Sequence, residues 1–199
     1  FWPAHFLDHV LAPFEDPRVA GVGTTKRVRR INKSFFSLED YWNVIGCLYL
    51  ERHNAEILAS NRIDGGVFCV SGRTAVYRTS VLQDPAFVSG FLNEHCFFGM
   101  VGPLNADDDN FITRWLVNHG WNIKVQSGPC ATIETTLGEY PKFLSQSVRW
   151  ARTTWRSNPA LLFTERTVWR RQPWSVYAVY LSALVNFALF YDTTLLFTL

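Results

Sequence analysis

The sequence has 199 residues, 48% of them hydrophobic and 16% aromatic, enough apolar side chain to bury one sizeable core and too much for a disordered or collagen-like chain. The net charge of +2 offers no global attraction to nucleic acid, so the distribution of basic residues matters more than their sum. Cys47, Cys69, Cys96 and Cys130 lie far apart, with no CxxC and no His at zinc-ligand spacing. We expect free, mostly buried thiols, as suits a reducing cytosolic compartment, although spacing alone leaves a disulfide open.

The chain begins at Phe1 and stops inside the apolar run "YDTTLLFTL", so it reads as a piece of a longer protein, and any motif ahead of Phe1 lies out of view. "FLDHVLAPFEDP" predicts a short helix ending at Pro17, and "RVAGVGTTKRVRR" a strand with a glycine-permitted bend. "SFFSLEDYWNVIGCLYLERHNAEIL" has apolar residues at helical spacing and no proline, which predicts a long amphipathic helix with Phe36, Tyr41 and Trp42 in the core. "GGVFCVSGRTAVYR" reads as two extended pieces about a Ser71–Gly72 turn, and "NIKVQS" as another strand. The alternation predicts an α/β domain.

In "NADDDNFITRWLVNHGW", Asp107, Asp108 and Asp109 precede a helix whose apolar face is Phe111, Ile112, Trp115 and Leu116 and which Gly120 closes. One Asp can cap that helix at the positive end of its dipole. Three adjacent acids exceed the needs of a cap: like charges repel and raise one another's pKa, and a carboxylate held so can serve as a general base. A calcium loop is the rival, but the alternating ligands and distal Glu of an EF-hand are missing.

Further on, "QSVRW" places Gln146, Arg149 and Trp150 on one helical face. Gln offers amide donors, Arg a planar fork for diphosphate oxygens and Trp a flat surface for a sugar ring. An interfacial helix with a lipid-anchoring Trp is the plainer alternative. Residues 142–172 hold seven Lys/Arg against one acid, Glu165, interleaved with Trp150, Trp155 and Trp169. Such a stretch suits a cytosolic membrane interface; a nucleic-acid stripe would look similar but finds no other support, and no nucleic-acid partner is expected. Residues 174–199 carry one formal charge, Asp192, and are long enough to cross roughly 30 Å of hydrocarbon as a helix, although Asn186 and Asp192 also suit a buried core helix.

The ordered set "SGRTAVYR", "DDDNFITRW", "QSVRW" and an apolar C-terminal run resembles the processive membrane glycosyltransferases of family 2, which include hyaluronan, chitin and cellulose synthases, and within them the hyaluronan or capsular polysaccharide synthase-like branch. The resemblance implies the C-terminal part of a GT-A, Rossmann-like domain over residues 1–139, an interfacial helical segment over 140–173 and a transmembrane helix over 174–199. It implies an inverting enzyme that moves a sugar from a UDP-sugar donor to a growing polysaccharide, with Asp109 as base beside Asp108. Gln146, Arg149, Trp150, Ser71, Gly72 and Arg73 would bind substrate. A Mg²⁺ or Mn²⁺ cofactor is implied too, its main ligands expected upstream of Phe1 and none within this chain. The lipid bilayer would be a further partner, with an integral, plasma-membrane location and the catalytic domain facing the cytosol. Asn110, where related synthases often carry Arg, and Arg73, where some carry Pro, depart from the pattern. A non-processive family 2 enzyme with a lipid acceptor and a catalytically silent membrane scaffold are the alternatives.

Overall fold

The computed structural model describes residues 1–30, 37–97, 99–104, 107–137, 140–184 and 187–198. Helix α1 (Phe6–Leu11) runs through a short 3-10 turn, Ala12–Glu15, into strand β1 (Val19–Thr24), which is followed at once by β2 (Lys26–Val28). Every residue of β1 is buried. Val19 and Val22 pack with Phe6, Val10 and Ile133, and Ala20 joins the larger core on the other side of the sheet. The glycines of "VAGVGT" sit where the sequence suggested a bend, and the pairing of β1 with β6 does shift register between Val19 and Gly21. They also clear space: a Cβ on Gly21 would meet Leu116 Cδ1 at 3.1 Å, and one on Gly23 would meet Val70 Cγ1 at 3.2 Å.

Helix α2 (Leu38–Asp64) starts where the Ser37 hydroxyl accepts the Asp40 N–H at 3.0 Å, and ends at Gly65 with φ +74°. Its buried positions include Leu50, Asn54 and Ile57, the spacing of one helical face. Two amides on this helix, seven residues and so two turns apart, serve strand edges. Asn54 accepts the Lys26 N–H at 3.1 Å and donates to the Lys26 carbonyl at 2.7 Å; Asn61 donates to the Ile123 carbonyl at 2.8 Å and accepts the Val125 N–H at 3.1 Å. Backbone groups that a sheet edge would leave unpaired are thereby satisfied without another strand. Phe36 lies outside the described residues. Tyr41, expected in the core, is 58% exposed, because nine residues before Leu50 it falls on the opposite side of α2 from that buried position. Trp42 is half-buried, stacked on Tyr140.

Of the two extended pieces expected about Ser71–Gly72, only the second is a strand, β3 (Ala75–Tyr77); Val67 and Val70 in the first are buried without a strand partner. Helices α3 (Thr79–Leu82) and α4 (Pro85–Leu92) and the hairpin β4 (Glu94–Cys96) and β5 (Val101–Leu104) lead to α5 (Asp108–Asn118). Strand β6 (Asn122–Gln126) then pairs parallel with β1, giving the mixed order β3-β1-β6, while β7 (Ile133–Thr135) pairs parallel with β2. The chain is thus mixed α/β, as expected. Phe111, Trp115 and Leu116 of α5 are buried, Ile112 packs beside them, and Gly120 takes φ +84° at the helix end.

Helix α6 (Lys142–Pro159) packs against α5. Pro159 has no N–H to give the preceding turn, and the helix widens to a π-helical stretch over Ala160–Glu165 before α7 (Thr167–Arg171). Buried charges lock these pieces together. Arg114 of α5 reaches Glu94 Oε1 at 3.0 Å and Glu165 Oε1 at 2.9 Å, and Arg156 of α6 takes the other Glu94 oxygen at 3.2 Å.

A single membrane-crossing helix over 174–199 is the expectation for the terminal apolar run, part of which lies outside the described residues. Ser175 caps onto Asp64, accepted at 2.8 Å from its N–H and 2.7 Å from its hydroxyl, and Val176 and Tyr180 are buried with Leu161, Leu162 and Val168. The beginning of the run therefore packs onto the domain. Phe187–Thr198 is helical, and residues 185, 186 and 199 lie outside those described. Among the described residues no helix is long and apolar enough to cross a membrane. The four cysteines are free, but only Cys96 is buried; the other three are half-buried.

The ion network makes a prediction for stability. Glu94 and Arg114 have side chains only 5% and 9% exposed. Removing one partner of such a pair leaves an uncompensated charge, so Arg114→Met is expected to cost about 3 kcal/mol in urea unfolding. A loss below about 1 kcal/mol would show that the network contributes little to the fold.

Candidate active site

The acids at the mouth of α5 do not cap it in the expected way. Asp107 holds the N-cap position with extended backbone, yet its carboxylate accepts from the Asn110 side-chain amide rather than from a backbone N–H. The first-turn donors are taken from within the turn. Asp108 Oδ1 accepts the Asp109 N–H at 2.9 Å, and Asp109 Oδ1 accepts the Asn110 N–H at 3.1 Å.

The second oxygen of Asp109 accepts the Gly72 N–H at 3.3 Å, joining α5 to the Ser71–Gly72 turn. That turn closes through the Thr74 N–H to the Ser71 carbonyl at 3.1 Å. Thr113 braces the same junction: its hydroxyl donates to the Asp109 carbonyl at 2.6 Å and accepts the Val70 N–H at 2.9 Å. Burial and the neighbouring Asp107 carboxylate together push the Asp109 carboxyl up to about 6. A carboxylate with that affinity for a proton, held in fixed orientation, is a competent general base near neutral pH.

Asp109 faces a cavity of about 280 Å³, near the lower end of the range for small-molecule sites, which run roughly 300–1,000 Å³. Its walls bring together Ser71, Gly72, Arg73, Asp107, Asp108, Asp109, Arg149 and Trp150 from three separate stretches of sequence. Helix α6 supplies the last two, with Thr153 and Thr154 one turn further on.

Arg149 is exposed at the rim. Arg73 is anchored by donating to Thr135 Oγ1 at 2.9 Å and to the Thr136 carbonyl at 3.0 Å, and burial, with Arg149 nearby, holds its pKa below the ordinary value. Trp150 has two flat faces, and stacking a sugar ring needs only one. Tyr49 of α2 stacks on one of them, with centroids 5.4 Å apart and planes at 9°. Gln146 does not line the cavity; it is half-buried, and its Oε1 has no hydrogen-bond partner among the described residues.

Reading the motifs alone misses Lys26, Tyr49, His53, Phe68 and Cys69, which also line the cavity. Lys26 carries the one available signal, a lysine alternating with Thr24 and Val28 in a segment that reads as a strand. The others sit on α2 and the segment after it, where nothing in the local spacing distinguishes a cavity wall from core.

The three aspartates each present a carboxylate oxygen, all within 4.8 Å of one another. Oxygen donors of this kind suit Mg²⁺ or Mn²⁺, although Asp108 and Asp109 already use oxygens on first-turn N–H groups. The donor chemistry therefore fits a divalent cation near the base.

Residues 1–153 match the model of a family described as glycosyltransferase like family 2. A type 2 glycosyltransferase of Pyricularia oryzae is 44% identical over 195 residues, covering 98% of this chain and 40% of that protein. Another of that name, from Zymoseptoria tritici, is 46% identical over 198 residues, 100% of this chain and 40% of the relative. Hyaluronan synthase 2 of Rattus norvegicus is 29% identical over 174 residues, 84% of this chain and 28% of its own length. The chain thus spans about 40% of the length of the fungal relatives it matches. With the acidic turn, the Ser71–Gly72 turn and the QxxRW helix gathered on one cavity and more than half of its length matched, the chain belongs to glycosyltransferase-like family 2.

Proposed function

We propose that the whole protein is a membrane-bound, inverting glycosyltransferase that moves a sugar from a UDP-sugar to a growing polysaccharide. The observation that carries this reading is Asp109: a carboxylate fixed by the Gly72 N–H, with its proton affinity raised to about 6, beside the cations Arg73 and Arg149 in a cavity of ligand size. Asp109 takes the proton of the acceptor hydroxyl as that oxygen attacks the sugar carbon, and the bond to the diphosphate breaks on the opposite face. Arg149 at the rim donates to the leaving diphosphate. Trp150, braced by Tyr49, presents its remaining face to the saccharide. A bound Mg²⁺ or Mn²⁺ would neutralise charge on the diphosphate.

Membrane attachment rests on a separate observation. Leu144, Val148 and Trp155 lie along one face of α6 and are 42%, 58% and 58% exposed, with Arg149 and Arg152 alongside. Phe163, Trp169, Trp174 and Tyr177 continue the exposed apolar surface toward the C-terminus. Apolar and indole side chains flanked by arginine suit the headgroup zone, and cytosolic placement of the catalytic domain follows from the same basic bias.

Asp109→Asn in the whole protein is expected to lower sugar transfer by two or more orders of magnitude, since an amide cannot take a proton. Its effect on stability has the opposite sign. The native state holds the Asp109 carboxyl above its ordinary 3.8, so its contribution favours folding below about pH 4 and is lost as pH rises through about 6. The Asn variant should therefore unfold at a higher temperature than the parent at pH 7, with the difference closing near pH 4, while parent activity climbs through pH 6. Near-normal transfer by Asp109→Asn would remove the base assignment.

Titration with UDP separates the α6 pair: Arg149→Ala should weaken binding about tenfold, whereas Trp150→Ala should leave it nearly unchanged and impair use of the acceptor. Equal UDP affinity in Arg149→Ala and the parent would count against the diphosphate contact. For the membrane reading, residues 1–199 should resist alkaline-carbonate extraction and residues 1–172 should be released; full release of the longer chain would refute an integral anchor.

A further inference from the structure

Lys26 is 3% exposed, yet it borders the cavity. Its backbone is pinned on both sides by the Asn54 amide, at 3.1 and 2.7 Å, so the side chain leaves β2 from a fixed point. An ammonium has three donors to satisfy. Among the described residues its hydrogen-bond partner is Nε2 of His53 at 3.5 Å, beyond the usual 2.7–3.2 Å range for such a bond.

His53 cannot act as a counter-ion. Burial and the neighbouring Lys26 hold its pKa down to about 3, so the imidazole is neutral, with its edge against the Phe68 ring, and offers a lone pair. Burial likewise lowers Lys26 to about 8, the direction expected of a cation with too little compensation. A methionine of similar length would cost the fold nothing of the kind. The ammonium stands at the deep end of the cavity, among His53, Phe68 and Tyr49, whereas Arg149 sits exposed at the rim.

From this placement we propose that Lys26, supported by His53, is a specificity-determining residue that hydrogen-bonds a saccharide oxygen, hydroxyl or carboxylate, at the floor of the cavity. The assignment rests on the glycosyl-transfer reading of the same site. A doubly charged diphosphate would meet the exposed Arg149 first, while the buried Lys26, with Tyr49 and Phe68 on the same lining, suits a sugar. With one hydrogen of the ammonium directed at His53, two remain for ligand oxygens. Reading by a buried charged donor is selective, because a ligand that lacks the matching oxygen leaves the ammonium unpaired.

The test is steady-state transfer by the whole protein and its Lys26→Met and Lys26→Gln variants, using UDP-glucose, UDP-glucuronate and UDP-N-acetylglucosamine, with UDP binding measured in parallel. For the preferred donor, kcat/KM in Lys26→Met should fall roughly 10- to 100-fold, the worth of a hydrogen bond to a charged group. The ratio between the best and worst donors should shrink, UDP affinity should stay within about twofold, and Lys26→Gln, which keeps a neutral donor, should fall less. If Lys26→Met does not fold, the Gln variant carries the same comparison. A rise in KM for the UDP-sugar would put the oxygen on the donor sugar and a rise in KM for the acceptor would put it on the acceptor; either supports the proposal. Unchanged kcat/KM and donor selectivity would overturn it, as would a parallel loss of UDP affinity, which would place the ammonium on the diphosphate. Asp109→Asn serves as the control: if it is inactive while Lys26→Met behaves as the parent, only the Lys26 role fails, and if it is active the glycosyl-transfer reading fails with it.

Discussion

The arrangement of the site depends on one side-chain amide, Asn54, which both accepts from and donates to the backbone of Lys26. A strand of three residues paired on one side only, as β2 is with β7, has little of its own to hold it. Asn54 supplies the missing edge from a helix. In doing so it fixes the rotation of α2, and with it Leu50 in the core one turn earlier and Tyr49 and His53 on the cavity. Asn61, two turns on, repeats the device at β6. A buried amide in the middle of a helix is costly unless all its groups are paired, and here the pairing is the means by which α2 is set in register with two strands.

The opposite wall is held by charge. Helix α5 carries the acids at its N-terminus, and α6 carries Arg149 and Trp150; nothing in their local sequences fixes the distance between them. The Glu94 carboxylate does so, with Arg114 of α5 on one oxygen and Arg156 of α6 on the other. Such a shared acid tolerates little displacement of either helix, because moving one leaves charge unpaired at low solvent exposure. Base and rim cation thus belong to a single rigid wall, and the stack of Trp150 on Tyr49 joins that wall to α2.

What the sequence made legible follows the range of the physics involved. Helical spacing, caps and terminal glycines are local, and α2, α5 and α6 were readable from them, as were β1 and β6. The cluster of Asp109, Ser71–Gly72 and Arg149–Trp150 was readable through motif resemblance, and all of these residues except Gln146 line one cavity. Contacts across the fold were not legible. Nothing near Tyr49 announces that it covers a face of Trp150, and nothing near Val176 and Tyr180 announces that they leave an apolar run to pack on Leu161 and Leu162. The glycines of β1 were legible only in part for the same reason: a bend is a local event, and the pairing does shift at Gly21, while room for Leu116 and Val70 is decided by residues 95 and 47 positions away.

Three of the ionisable groups on the cavity are displaced toward neutrality: Asp109 upward by burial and the neighbouring Asp107, Lys26 and Arg73 downward chiefly by burial. Opposite charges are present in the same space, yet they are held apart by the elements that carry them, Lys26 on β2, Asp109 on α5 and Arg73 on the turn between. Had they met, the acid would have been pushed down rather than up, and the cations satisfied. The amide pins on α2 and the Glu94 network on α5 and α6 hold in place the elements that carry these groups. A ligand bearing both hydroxyl donors for the aspartates and oxygen acceptors for the cations would satisfy both poles at once. The free energy so released would appear as binding, which is how separated charges in a preformed site become selective for a polyhydroxylated, anionic ligand.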